Sequence, residues 1–340
     1  MAVNSGGYGE QRSSQIRRIL YASVIVVVVA VVVIAGIIIK RNRNASAEAP
    51  QQEAAASQPA AETPAQPKAE PSAAKPEAQA PPVMDTNGST ISGQIAQAMD
   101  LLNQPTPKII EARDRLNELL PLAQGQELVF IKSKMAELSD KWLFSKLVYP
   151  EDKLCVSYKV MPGDMLSTIG KKHYVPYEML LQINNMSKPE ALQAGMAIKV
   201  INGPFHARVY RSTFTMDLYL QNTYVRSFSV GLGKQGMETP TGRWRVKEGG
   251  KLIKPIWTDP VTGKTYHPED PDYPLGTRWI ALEGIEGNSI GKKGFAIHGT
   301  NNPGQIGMQG SQGCIRLHNE DAELVYKLLA QGQSLVDVAD

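Results

Sequence analysis

The stretch Gly310-Ser311-Gln312-Gly313-Cys314-Ile315-Arg316-Leu317 places a cysteine between a small-residue turn and an apolar run. A thiol with an ordinary pKa near 8.5 is only a few per cent ionised at neutral pH, so a nucleophilic cysteine needs a base beside it. It also needs backbone N–H groups able to face a tetrahedral oxyanion, and Gly313 lets the chain approach closely enough for that. Upstream, the apolar run Gly294-Phe295-Ala296-Ile297 ends at His298, followed by Gly299-Thr300. A strand end is a rigid place to hold an imidazole, which makes Cys314 and His298 a candidate nucleophile and base. The same residue types also allow a metal site, because Cys314-x-x-x-His318 together with His298 offers three zinc-type ligands.

Outward from this stretch, the chain after Phe205 alternates apolar and polar residues. Strands are predicted over 207–210, 213–220, 224–230, 242–246, 279–282 and 294–297. Short strands separated by Gly, Pro and Asn turns predict an all-β sandwich or barrel with few helices. One helix, Glu320 to Leu329, is expected after Asn319 as its cap. The acidic, proline-rich loop from Tyr266 to Tyr273 is a candidate substrate lid.

The longer pattern from about Phe205 to Val338 resembles the L,D-transpeptidase catalytic domain. The resemblance is carried by GLGKQGMETPTGRWRV (231–246), YPLGTRWIAL (273–282), FAIHGT (295–300) and GSQGCIRL (310–317). It implies a mostly-β fold and a cysteine enzyme of the bacterial cell wall. Carried across, Cys314 is the nucleophile, His298 its base, and the Gly299 carbonyl the group that orients the imidazole. Ser311, Gly313 and Arg316 match the rest of the signature as substrate or oxyanion contacts. Gln312 departs from it, since the family usually has histidine there. Glutamine cannot titrate but still donates and accepts hydrogen bonds. The implied reaction is a two-step acyl transfer that releases D-alanine from a tetrapeptide stem and forms a 3→3 cross-link. Water as acceptor would make a carboxypeptidase, and a protein acceptor an anchoring enzyme. A non-catalytic wall-binding scaffold, with Gln312 marking a decayed site, is the reading from a different class.

Residues 156–202 form a second unit. Val156 to Val160 alternates as a strand, Pro162-Gly163-Asp164 is a turn, and Asp164 is placed to cap a helix from Met165 to His173. A second helix from Pro176 to Asn184 and a strand from Ala197 to Ile201 follow. Tyr158, Gly163, Asp164, Leu166, Ile169, Leu181, Asn184, Leu192, Gly195 and Ile198 make this segment similar to the LysM domain. That resemblance implies a βααβ fold with a shallow groove for N-acetylglucosamine polymers. The groove maps to Gly163, Asp164, Met165 and Leu166, with Met186–Ala191 opposite. Met165 stands where the family usually has threonine. Leu166, Ile169 and Ile198 are also the expected core.

Residues 89–150 carry helical stripes: Ile91, Ile95, Met99 and Leu102; then Ile109, the Arg113 stem, Leu116 and Leu120; then Leu128, Ile131, Met135, Leu138 and Trp142. Thr106-Pro107 is the expected start of the second helix. The segment shows no reactive residues and is read as a helical spacer.

The amino-terminal part is different in kind. Ile19 to Ile39 has only Tyr21 and Ser23 as polar interruptions, and at 1.5 Å per residue it spans about 30 Å, the thickness of a hydrocarbon core. Arg12, Arg17 and Arg18 precede it, and Lys40, Arg41 and Arg43 follow, so flanking charge does not choose an orientation. Residues 1–18 are then a cytoplasmic segment and 19–39 a retained transmembrane helix. Ala45-Ser46-Ala47 has the form of a cleavage site, but the apolar run exceeds a signal peptide's. Residues 40–88 are a linker in which positions 44–82 hold fourteen Ala and eight Pro and no large apolar residue. Such a segment buries too little to offset chain entropy.

Charge is segregated the same way. The formal +3 combines six Lys+Arg against one acid in residues 1–43 with two against five in 44–82. Residues 83–204 carry thirteen of each sign and 205–340 fifteen against fourteen, which leaves no field for nucleic acid. Two cysteines in all exclude a disulfide scaffold, and Cys155 is expected as a buried apolar side chain. No metal, nucleotide or organic cofactor is called for. The expectation is a multidomain protein: a transmembrane helix, a helical spacer, a LysM module and a mostly-β catalytic domain (205–340). Its partners would be the membrane and the stem peptides and glycan strands of peptidoglycan. It would be held in the cytoplasmic membrane by a single pass, with the catalytic domain in the extracytoplasmic wall space.

Overall fold

A computed structural model describes residues 90–340. The expected transmembrane helix and linker, residues 19–39 and 40–88, lie outside the described residues. Among the described residues no helix is long and apolar enough to cross a membrane.

Helices α1 (Ile91–Leu102), α2 (Ile109–Leu119) and α3 (Gly125–Trp142) follow the three apolar stripes. Thr90 caps α1 by accepting the Gly93 N–H at 3.2 Å. The start expected for α2 is wrong by two residues. Lys108 rather than Thr106 occupies the cap, with no side-chain hydrogen bond, and Pro107 lies outside the helix. Arg113 is buried whole rather than by its stem alone. Its guanidinium bonds Asp152 Oδ1 at 2.9 Å and lies 4.5 Å over the Trp142 ring.

The next module pairs β1 (Cys155–Lys159) with β2 (Ala197–Ile201) in antiparallel register, Cys155 opposite Ile201. Between them run α4 (Leu166–Lys172) and α5 (Tyr177–Ile183). Buried Asn184 ties α5 to β2, accepting from Lys199 N at 2.7 Å and donating to Lys199 O at 2.8 Å. Lys199 is 2% exposed, and its ammonium reaches the Trp142 and Ser145 carbonyls at the end of α3. A cation there complements the helix's negative end.

The carboxy-terminal domain is built on an eight-stranded sheet. In sequence order it holds β3 (Phe205–Tyr210), β4 (Thr215–Leu220), β5 (Thr223–Ser229), β7 (Gly242–Leu252), β10 (Trp279–Glu286), β11 (Ala296–His298), β13 (Ile315–Arg316) and β14 (Leu335–Ala339). In space the order is β13-β11-β10-β7-β14-β3-β4-β5. Two-residue strand β6 (Leu232–Gly233) pairs with β12 (Gln309–Ser311), and β8 (Trp257–Thr258) with β9 (Thr265–Tyr266). Helix α6 (Asn319–Leu328) links β13 to β14.

Strand β14 went unread in the sequence, yet it sits mid-sheet, parallel to β3 and antiparallel to β7. Strands β7 and β10 run beyond their expected ends, and between the Ile280–Lys251 and Leu282–Val246 pairs residues 247–250 of β7 bulge out of the ladder. Helix α3 lies along edge strand β5. Asn117 at the end of α2 accepts the Tyr224 N–H of β5 through Oδ1 at 2.9 Å, and Lys132 of α3 pairs with fully buried Asp217 on the neighbouring β4 at 2.6 Å. Covering an edge in this way removes a site for unwanted strand pairing. One continuous apolar cluster joins the helices, the βααβ module and the sheet.

Candidate active site

Three neighbouring strands bring three side chains to one level. His298 on β11 is opposite Trp279 on β10 and in register with Arg316 on β13. The Trp279 and His298 rings stack, with centroids 5.5 Å apart. The Nδ1 of His298 lies 2.6 Å from the Gly299 carbonyl oxygen. A carbonyl only accepts, so Nδ1 carries the hydrogen and Nε2 is the unprotonated nitrogen of the neutral ring. His298 is 4% exposed, and burial pulls its pKa down to about 4; the Gly299 and Leu275 carbonyls oppose this and the Arg316 charge adds to it. The imidazole is therefore neutral at physiological pH.

The cysteine turn is held from both sides. The Ser311 hydroxyl donates to the Cys314 carbonyl at 2.7 Å and accepts the Gly313 N–H at 3.1 Å. That N–H therefore points into the turn, not towards the cavity. Thr239 donates to the Gly313 carbonyl at 2.9 Å while accepting the Gly233 N–H at 3.1 Å. Gly313 has φ +114, and a Cβ there would lie 2.6 Å from the Phe295 ring, so only glycine fits. The Cys314 thiol points to the Gly294 carbonyl at 3.6 Å. Burial pushes it up to about 11, against the opposing pull of the Ala296 backbone and Arg316. Cys155 is free and buried, as expected, and burial pushes it up to about 12.

Both groups line one cavity of about 460 Å³. Ser311, Gln312 and Arg316 share it with Cys314 and His298, and Trp279, Phe295 and Leu275 supply apolar wall. Arg316 donates to the Gln305 side chain, while its Nε is buried without a partner. Gln312 Nε2 donates to Asp259 Oδ1 at 3.2 Å, fastening the β8–β9 hairpin to the cysteine turn. Trp257, Thr258 and Pro260 of that hairpin form part of the cavity wall. In the 266–273 loop, His267 is exposed and Tyr273 is anchored by its hydroxyl to the Pro255 carbonyl at 2.6 Å.

Asn319 is not the helix cap the sequence suggested. His318 occupies that position without a side-chain bond, and Asn319 turns back to the loops beside His298. Its Oδ1 accepts from Thr277 N at 3.2 Å and Thr300 N at 3.1 Å, and its Nδ2 donates to the Thr300 carbonyl at 3.0 Å. A Cβ at either Gly276 or Gly299 would collide with that oxygen. Trp279, Thr239, Asp259 and Asn319 are thus the residues missed as site components. Trp279 and Thr239 lie within the stretches 273–282 and 231–246, where no local signal marks them as site residues.

In the βααβ module, Asp164 does not cap α4 either. Its carboxylate accepts from Met161 N at 2.7 Å and Tyr158 OH at 2.8 Å, bracing the turn whose Gly163 has φ +87. Met165 takes the cap position and is 59% exposed, whereas Leu166 is core. Among the described residues no three His, Cys, Asp or Glu side chains lie close enough to share a metal ion.

A mostly-β domain with a buried histidine and a cysteine opening on one cavity defines the class. Residues 204–338 match the family model of the L,D-transpeptidase catalytic domain, and residues 158–200 that of the LysM domain. Over 184 residues the chain is 30% identical to the putative L,D-transpeptidase YkuD of Bacillus subtilis, covering 52% of this chain and 95% of that protein. It is 34% identical over 171 residues to the probable L,D-transpeptidase ErfK/SrfK of Escherichia coli, 46% of each. Among solved structures it is similar to an L,D-transpeptidase from Mycobacterium tuberculosis, at 18% identity and TM-score 0.33 over 44% of this chain and 64% of that one. The chain belongs to the L,D-transpeptidase family and carries a LysM domain.

Proposed function

We propose that the protein forms 3→3 cross-links in peptidoglycan through an acyl-enzyme on Cys314. The observation that carries this is the placing of Cys314 on the same cavity as a neutral His298 whose Nδ1 is held by the Gly299 carbonyl, leaving Nε2 as the unprotonated nitrogen. With the thiol near 11 and the imidazole near 4, the proton rests on sulfur until substrate arrives. His298 Nε2 takes that proton as Sγ attacks the carbonyl on the L-centre of the third stem residue. The tetrahedral intermediate collapses, the bond to D-alanine breaks, and His298 returns the proton to the departing amine. An amine of a neighbouring stem then attacks the thioester, loses its proton to His298, and leaves the cross-link and a free thiol. The LysM domain would hold the enzyme on the glycan and raise its local concentration there. The Ile19–Ile39 run supports a membrane anchor, and the location of the substrate supports placing the described domains on the extracytoplasmic side.

Incubation with purified muropeptides, with products identified by mass, tests the reading. Wild type is expected to release D-alanine and form dimers, and Cys314→Ala and His298→Ala to do neither. Unchanged products in Cys314→Ala would sink the mechanism, and D-alanine release without dimers would make water the acceptor.

A further inference from the structure

The LysM module and the catalytic sheet border a second cavity of about 490 Å³ that shares no lining residue with the catalytic one. Tyr174, Tyr177 and Glu178 come from the loop between α4 and α5 and the start of α5; Glu248 and Lys251 come from β7, and Tyr326 from α6. Tyr174 is 47% and Tyr177 36% exposed, so both rings are open to solvent. Tyr174 also has φ 55, a left-handed backbone that few aromatic residues adopt. The Lys251 ammonium lies 4.3 Å from the Tyr326 ring centroid and forms no ion pair with any described residue. Burial lowers its pKa to about 8, with Glu178 opposing.

Phenol rings present a flat apolar face and a polar rim, which suits the C–H face of a pyranose ring. Two carboxylates and two ammonium groups, Lys171 and Lys251, suit its hydroxyl and amide groups. With two cations against two carboxylates the cleft carries no net positive charge to hold a phosphate backbone. Lys251 is paired with Ile280 of β10, and its carbonyl accepts from the Tyr326 hydroxyl at 3.4 Å, so the backbone at the cleft is already engaged and offers little to an extended peptide. We propose that this cleft is a second saccharide site, which holds a strand of β-linked amino sugars between the LysM module and the catalytic domain. The identity of the polymer rests on the function proposed above. The cleft is coupled to the chemistry by two elements. Lys251 pairs with Ile280, next to the Trp279 that stacks on His298, and Tyr326 lies on the helix whose first residue, Asn319, clips the histidine loop.

The test uses the full chain with peptide-free glycan strands, measured by calorimetry, and two variants. Tyr174→Gly removes a ring where the backbone already favours glycine, and Lys251→Gln removes the charge. Each is expected to weaken glycan binding by about fivefold. Each is also expected to lower the ratio of kcat/KM for glycan-linked over sugar-free tetrapeptide by a similar factor. Glycan affinity unmoved in both variants would overturn the proposal, as would sugar-free stem peptide competing fully for the cleft. If no substrate is turned over, the transfer function fails while calorimetry still judges the cleft. If both are turned over and the ratio does not move, the cleft proposal alone falls.

Discussion

Trp279 and His298 face each other across the β10–β11 ladder, their rings inclined by only 21°. The indole shuts water from one face of the imidazole, so burial, more than any charge, keeps the ring neutral. Arg316, in register on the next strand, acts in the same direction.

A neutral pair predicts a particular pH dependence. Alkylation of Cys314 by iodoacetamide should climb as pH rises towards about 11 with no plateau near neutrality, and buried Cys155 should not react in the native protein. An alkylation limb with its midpoint below about pH 7 would instead reveal a resting thiolate–imidazolium pair.

Stability should follow the histidine. Between its ordinary 6.5 and about 4, the unfolded chain binds a proton that the folded chain refuses. The contribution is complete above pH 6.5 and lost as pH falls through about 4, a change of about 3 kcal/mol. Urea midpoints at the two ends of that window measure it, as the difference between wild type and His298→Gln. No difference between the two proteins would contradict the assignment.

Asn319 holds the peptide on either side of Thr300 and so fixes the Gly299 carbonyl that bonds His298. Asn319→Ala should lower kcat about 100-fold, and should cost about 1–3 kcal/mol of stability by leaving buried backbone groups unpaired. Asn319→Asp keeps the acceptor and should recover part of kcat. Wild-type kcat in Asn319→Ala would refute the positioning role.

The Gln312–Asp259 bond pins the β8–β9 hairpin over the cavity. Gln312→Ala should speed amide hydrogen exchange in residues 257–266 and raise KM about threefold to tenfold, the loss of one hydrogen bond. Exchange rates identical to wild type would mean the hairpin is held elsewhere.

Lys132 neutralises Asp217, whose carboxylate is fully buried under α3 and also accepts from Ser227 at 2.5 Å. Lys132→Met leaves that charge unpaired and should cost about 3–5 kcal/mol. Protease sensitivity in residues 90–150 should rise with it, since this contact joins α3 to the sheet. Lys132→Met combined with Asp217→Asn should recover much of the loss, and a double variant as unstable as the single one would contradict this account.

Much of this was legible locally. The helix stripes, the βααβ order and the strand ending at His298 each follow from side-chain period over a few residues. Turn chemistry was less secure: Asn319 and Asp164 are good caps by type, yet Asn319 bonds backbone that folding brings beside it, and Asp164 turns back to the Met161 N–H of its own turn. Strand β14 escaped because its place between β3 and β7 depends on partners far along the chain.

The residue types and their order determined the chemistry on offer: a thiol after a glycine that tolerates no side chain, a histidine ending an apolar strand, and a neutral surface charge. Tertiary structure alone decided how those groups behave. Register put Trp279 and Arg316 beside His298, burial set the imidazole low and the thiol high, and the β8–β9 hairpin met Gln312 across the cavity. Protonation depends on the solvent a group has lost and the charges it has gained, and both come from residues distant in the chain.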